Sequence, residues 1–484
     1  MINYEEFAWL DATALAELVR KGEVTPSELV EAAIARIKKL NPSVSAVVQP
    51  MVDEARRTAA ADLPDGPFRG VPFLLKDAIA AYAGVPMRSG ASFLQDYVPQ
   101  VDSELVARIK RAGLIVVGKT STPELSLTPV TESRLFGPTI NPWDPSRTPG
   151  GSSGGSAVAV ACGMVPMAHG SDGGGSLRIP ASCCGVFTLK PTRGRNPLGP
   201  AFGDAMGGLI SEHALTRSVR DSALLLDATS GPDLGDPYCA PPPVRPFAEE
   251  VRAVSRGAGP GKFRIALMTA VGPKPLVHPD CVSAAEEAAK LCADLGHCVE
   301  EASPRIDFQQ LGRDFLIQFS AGAAWTMDML ASGARKTPQQ SDFEPQTWAL
   351  AEMGRRHSAA DYLVACTRLQ RVARSVAHFF TEYDLLLTPT LAEPPPPSVE
   401  FEPQTDNPLA GLFRAGSLVA LTTLANITGQ PAMSVPLAWN DDGLPIGVQF
   451  VGRFGDEATL LRLAAQLEQA RPWANRRPKM LLKN

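Results

Sequence analysis

Apolar residues recur at helical spacing through residues 25–40, at Leu29, Ala32, Ala33 and Ile37. Thr25, Pro26 and Glu28 in front of them predict a capping box with proline at the first helical position, and Asn41-Pro42 predicts the stop. Residues 70–76 form a continuous apolar run ending on Lys76, the pattern of a short buried strand. A helix over 103–112, a strand over 114–117 and a turn at Gly118 make an α-to-β unit. Residues 157–161 read as a small-residue helix between two Gly-rich stretches. Farther on, the pattern predicts strands at 263–268 and 383–389, a helix at 280–295 closed by Gly296, and a helix over Glu457–Ala470. Prolines 237, 241–243, 246 and 260 make 231–262 a long surface connection, and Pro394 to Pro397 a stiff exposed segment. Alternating strands and helices predict an α/β fold with a largely buried sheet, without internal repeats or a clean domain seam.

Composition narrows the function class. The chain has 484 residues, 44% hydrophobic and 20% charged, which excludes a disordered or fibrous protein. Lysine and arginine number 46 against 51 acidic residues, a net charge of -5 that is scattered, arguing against a nucleic-acid or anionic-membrane partner. The longest apolar stretch, 157–168, is broken by Gly163 and Pro166 and falls short of the ~20 residues of a membrane span. Eight cysteines without C-x-x-C spacing, and an opening MINYEEFAWL without basic or apolar leader regions, predict a reduced cytoplasmic protein.

Two motifs mislead. Residues 113–120, GLIVVGKT, fit the phosphate-loop pattern, but the intervening residues form a β-branched strand rather than a loop of amides. Residues 151–155, GSSGG, fit the nucleophile elbow, but the Asn- and Pro-rich residues before them cannot be the strand the elbow needs. More informative are two Gly/Ser loops, 149–156 and 170–176, separated by one small-residue helix and placing Ser152 and Ser176 24 residues apart. Such glycines let backbone amides approach a reacting atom, as an oxyanion site requires. A serine nucleophile needs a base. Of six histidines, His169 lies near Ser176 but reads as a hydrogen-bonded strand-end residue. A lysine held neutral near pH 7 is the alternative, at on the order of 4 kcal/mol of desolvation or charge effects. Lys76, Lys119 and Lys190 have comparable contexts, and composition leaves all three open.

Taken together, these residues resemble the amidase signature hydrolases. The resemblance rests on GVPFLLKD (70–77), GKT (118–120), NPWD (141–144), TPGGSSGG (148–155), DGGGSLRIP (172–180) and CGVFTLKPT (184–192), then NITGQPA (426–432) and GLPIGVQ (443–449). It covers nearly the whole chain and looks most like bacterial broad-specificity amidases, including those similar to 6-aminohexanoate cyclic-dimer hydrolase. It implies one large α/β domain over residues 1–484, a central mixed sheet covered by helices on both faces. Within it would lie an N-terminal helical segment (1–65), a catalytic core (66–230), a variable substrate-loop region (231–380) and a C-terminal return (381–484). It further implies Ser176 as nucleophile, Ser152 on a cis peptide as proton relay, and Lys76 as general base. The amides of Gly173, Gly174 and Gly175 would face the oxyanion, with Ser153, Asp172 and Arg178 locking the loops by hydrogen bonds. The family usually carries a side chain where Gly173 stands, which implies a less rigid loop here.

The reaction so implied is attack on an amide carbonyl, loss of an amine or ammonia, and hydrolysis of an acyl-enzyme, with a small-molecule amide as partner and no metal or cofactor. Cys183-Cys184 reads as packing in a buried turn. The main alternative is the glutaminase (A) subunit of a tRNA-dependent amidotransferase, which typically has Gln where Ile179 stands. A catalytically dead binding protein is disfavoured by the three triad positions. Substrate choice is expected in 195–215 and 300–380, where Phe202, Phe319 and Trp325 suit either an acyl pocket or the core. Oligomeric state is not legible, and a homodimer is compatible with the chain.

Overall fold

The computed structural model describes residues 8–272, 277–402, 404 and 406–482. The remaining positions of the expected N-terminal, variable and C-terminal segments lie outside these. Thirteen strands are described: β1 (Val47–Pro50), β2 (Pro72–Lys76), β3 (Ile115–Thr120), β4 (Glu132–Ser133), β5 (Gly137–Pro138), β6 (Met167–Asp172), β7 (Phe187–Lys190), β8 (Ser211–Thr216), β9 (Arg264–Leu267), β10 (Cys298–Glu301), β11 (Leu385–Pro389), β12 (Ala432–Trp439) and β13 (Pro445–Gly452). Eleven of them form one sheet in the order β1-β3-β2-β6-β8-β7-β12-β13-β11-β9-β10, and β4 pairs with β5 in a separate ribbon. The sheet is mixed: β3, β2 and β6 run parallel, as do β11, β9 and β10, while antiparallel pairs join the middle. Helices cover it, and all four segments distinguished in the sequence contribute strands to this one sheet, the C-terminal return lying between the catalytic core and the strands of 231–380, so the fold is a single α/β domain. No helix among the described residues is long and apolar enough to cross a membrane.

Local chemistry explains the elements. The Thr25 hydroxyl accepts from Glu28 N–H at 3.2 Å and Glu28 Oε2 accepts from Thr25 N–H at 2.9 Å, the reciprocal cap expected of that tetrapeptide. The helix then runs Pro26–Val44, through Pro42 rather than stopping before it. A proline near the last turn removes one N–H donor. The actual stop is Ser45, left-handed at φ 51°, with Asn41 bridging both polar groups of Val47. The Pro-rich connection also differs from expectation, because it contains the helix Phe247–Ser255. Asp227 accepts from the N–H groups of Phe247 and Ala248, and Phe247, Val251 and Val254 are buried. The prolines fall at or before 246 and again at 260, on either side of that helix, so they bound it rather than preventing it. Pro395 and Pro396 are buried, not exposed, and their carbonyls accept from Arg147 and Thr148.

Close approach of backbone to backbone positions the first Gly/Ser loop. A Cβ on Gly155 would fall 2.5 Å from Ser121 N and 2.8 Å from Ala46 O, so the helix Gly154–Ala161 starts in direct contact with the end of β3. Gly155→Ala is therefore expected to lower stability by about 3 kcal/mol, read as a lower urea midpoint with an unchanged denaturant slope.

Candidate active site

Strand β2 lies between β3 and β6 and is buried along its whole length, so the amine of its last residue is carried into the interior. Lys76 Nζ sits 2.6 Å from Ser152 Oγ and 2.9 Å from Ser171 Oγ, and the side chain is fully buried. Burial pushes this amine down to about 7, against the opposing pull of the Asp172 and Glu212 carboxylates. Lys119 and Lys190 are also buried and also lowered, chiefly by burial, to about 8 and about 7. Geometry separates the three. Lys119 Nζ donates to Pro86 O at 2.9 Å and stands 3.8 Å from Asp77, and Lys190 Nζ donates to Pro191 O at 2.7 Å.

Ser152 follows a cis peptide from Gly151. Gly151 meets the backbone of Pro129 and Val130 where a Cβ would lie 2.8 Å away. Thr131 Oγ1 donates to Gly150 O and accepts from Gly154 N–H, clamping the loop on both sides of Ser152. Ser153 joins the two Gly/Ser loops. Its N–H donates to Ser176 O at 3.2 Å, while its hydroxyl donates to Ser171 O and accepts from Ser171 N–H. His169 has the structural role expected of it: Nε2 lies 3.0 Å from Glu212 Oε1, and Nδ1 accepts the backbone N–H of Lys76.

The second loop hangs from a buried ion pair. Asp172 accepts from Arg178 Nε and Nη2, both at 3.0 Å, and from the N–H groups of Gly175 and Leu177. Burial alone would raise this carboxyl; the Arg178 charge and hydrogen bonds, with Lys190 and Asn426, overcome that and hold it at about 2. Arg178 continues to Thr422 O, Gln449 Oε1 and Asn426 Oδ1, and Asn426 Nδ2 returns to Asp172. Ser153, Asp172 and Arg178 thus all lie in the bonding that ties the loops. Gly175 departs from expectation. Its N–H is committed to Asp172 Oδ1 at 2.7 Å and the carbonyl of Gly174 to Thr422 Oγ1 at 2.7 Å, so this peptide has neither group free for a ligand.

Gly173, Gly174, Ser152 and Ser176 line one cavity of about 880 Å³. Phe202, Phe319 and Trp325 line it rather than filling the core, and Phe202 meets Trp325 edge-on at 5.7 Å. The expected regions contribute Phe202, Ala205, Met206, Ile210 and part of the helix Phe308–Ala334, whereas Ile79, Leu125 and Phe413 come from stretches that drew no attention in the sequence. Asp307 is the one formally charged side chain among the described lining residues. Sequence reasoning also missed Ser171, Thr131, Thr422, Asn426 and Gln449. The last two lay within the C-terminal motifs, but nothing marked Thr131 or Thr422. Arg178→Met leaves the Asp172 charge buried and unpaired and is expected to destabilise by about 3–5 kcal/mol; in chemical denaturation the Asp172→Asn/Arg178→Met double variant should recover part of that loss.

Comparison with known proteins places this arrangement. Residues 28–461 match the Amidase family. The chain is 40% identical over 490 aligned positions to the 6-aminohexanoate-cyclic-dimer hydrolase of Paenarthrobacter ureafaciens, covering 98% of this chain and 97% of the relative. A solved structure of 6-aminohexanoate cyclic dimer hydrolase superposes with a TM-score of 0.92 at 37% identity, covering 99% of this chain and all 100% of that one. A bacterial aryl acylamidase of the amidase signature family superposes at 0.87 and 28% identity, covering 98% and 99%. The chain belongs to the amidase family and is an amide-hydrolysing enzyme of the amidase signature fold.

Proposed function

We propose that the chain is a stand-alone amidase that hydrolyses carboxylic amides through an acyl-enzyme on Ser176, with Ser152 as proton relay and Lys76 as general base. One observation carries the reading: a fully buried amine, held near neutrality by desolvation, lies 2.6 Å from the Ser152 hydroxyl at the wall of the cavity that Ser176 lines. Ser176 Oγ attacks the carbonyl carbon as its proton passes to Ser152 Oγ and the Ser152 proton passes to Lys76 Nζ. The amides of Gly173 and Gly174 receive the oxyanion, a donor of this kind being worth ~10²–10³ in rate. As the intermediate collapses, the proton returns through Ser152 to the departing nitrogen. Water then attacks the Ser176 ester by the same relay, releasing the acid.

The alternative of a glutaminase subunit requires recognition of an amino-acid carboxylate. The described lining is apolar apart from hydroxyls, amides and Asp307, which favours neutral amides instead. The free thiols of all eight cysteines suit the reducing cytoplasm proposed from the sequence.

The purified chain should hydrolyse a panel of neutral amides without a partner subunit or ATP. Ser176→Ala should lose at least about 10⁴ in kcat with an unchanged melting temperature, and a fluorophosphonate should label the parent and not the variant. Labelling of both would remove Ser176 from the nucleophile role. Only the neutral amine accepts a proton, so kcat/KM should rise as pH passes upward through about 7. A profile flat from pH 5 to 9 would exclude Lys76 as the base.

A further inference from the structure

Each glycine of the 173–175 run has a different reason to lack a side chain. Gly175 has φ 133°, and a Cβ there would meet Thr422 Oγ1 at 2.4 Å and Ile179 Cδ1 at 2.8 Å, so both conformation and packing demand glycine. A Cβ on Gly174 would make ordinary contact with Phe315 Cζ at 3.5 Å. Gly173 is not in the left-handed region, and within 4 Å of its Cβ position stands a single atom, Ile210 Cδ1 at 2.7 Å. The backbone at 173 therefore admits a side chain, and it is Ile210 that takes the space.

Ile210 does not reach this place by chance of loop geometry. The next residue, Ser211, pairs in register with Asp172 across β6 and β8, and the carbonyl of Leu209 accepts from Asn426 Nδ2 at 3.1 Å. The groups that fix the second Gly/Ser loop thus fix Ile210 against it. Its side chain is half-buried and lines the cavity beside Gly173 and Gly174.

We propose that Ile210 is a specificity-determining residue: from the start of the neighbouring strand it takes the space a side chain at 173 would fill, and it limits the bulk allowed on the two atoms bonded to the scissile carbonyl carbon. This rests on the reading that the Gly173 and Gly174 amides receive the oxyanion, since a wall against those amides lies next to whatever the carbonyl carbon carries. Removing the three carbons beyond Cβ in Ile210→Ala opens that wall, and a pocket change of this size alters discrimination by about 10–200-fold.

The experiment measures kcat/KM for matched amides, straight and branched at the carbon next to the carbonyl, and straight and branched at the carbon next to the nitrogen. The variants are Ile210→Ala, Ile210→Val, Gly173→Ala and Gly173→Ala/Ile210→Ala, each with its melting temperature. Ile210→Ala should raise the branched-to-straight ratio about tenfold or more in at least one series, and Ile210→Val should move it less in the same direction. Gly173→Ala should lower kcat/KM for straight amides about tenfold by pushing Ile210 aside, and the double variant should return to near the Ile210→Ala value. A ratio unchanged in both series, or a Gly173→Ala loss of the same size with and without Ile210, would overturn the proposal. Failure of the underlying mechanism reads differently: the parent would hydrolyse none of the amides, or Ser176→Ala would retain turnover.

Discussion

Burial of the Lys76 amine between β3 and β6 removes the water that would otherwise keep it charged, and the hydroxyls of Ser152 and Ser171 take water's place as hydrogen-bond partners. This desolvation is the constraint from which the rest of the site follows. It succeeds only if no strong negative potential restores the proton. Asp172 and Glu212 both pull in that direction, and Asp172 is close enough to matter. Burial outweighs both pulls, and Asp172 is itself paired with Arg178, both groups being buried.

The same pair explains why so much of the chain must be folded for the site to exist. Arg178 and Asn426 gather the second Gly/Ser loop, the carbonyls of Leu209 and Thr422, and Gln449 on β13 into one bonded group. Around this polar floor the cavity walls are largely apolar and come from separate stretches, among them the helix Phe308–Ala334. The contact of Ile210 with Gly173 marks where the polar floor and these walls meet.

What could be read without coordinates follows the range of the interactions. The cap at Thr25 was legible because both bonds close within four residues, and β2 because a run of five to six apolar residues is too short for a buried helix and too apolar for a surface loop. The helix Phe247–Ser255 was obscured by prolines that precede it. The helix Phe308–Ala334 was obscured because its buried positions include Asp314, Gln318 and Ser320, while Phe315, Phe319 and Trp325 face the cavity, which inverts the usual apolar stripe. The Gly175 amide read like its two neighbours until the carboxylate of Asp172 was seen beneath it.

By itself the sequence determined the fold class and the two Gly/Ser loops that carry Ser152 and Ser176, because these rest on residue type, local spacing and motif. Composition left three lysines open and the resemblance pointed to Lys76; the tertiary structure shows that its amine meets a serine hydroxyl, that the Gly175 amide is taken by Asp172, and which side chain fills the gap at 173. All three lysines are desolvated and lowered alike, so burial cannot choose among them. The choice is a matter of a few ångströms between residues 76 apart in the chain, and such distances are set by how strands line up in a sheet rather than by any one segment of it.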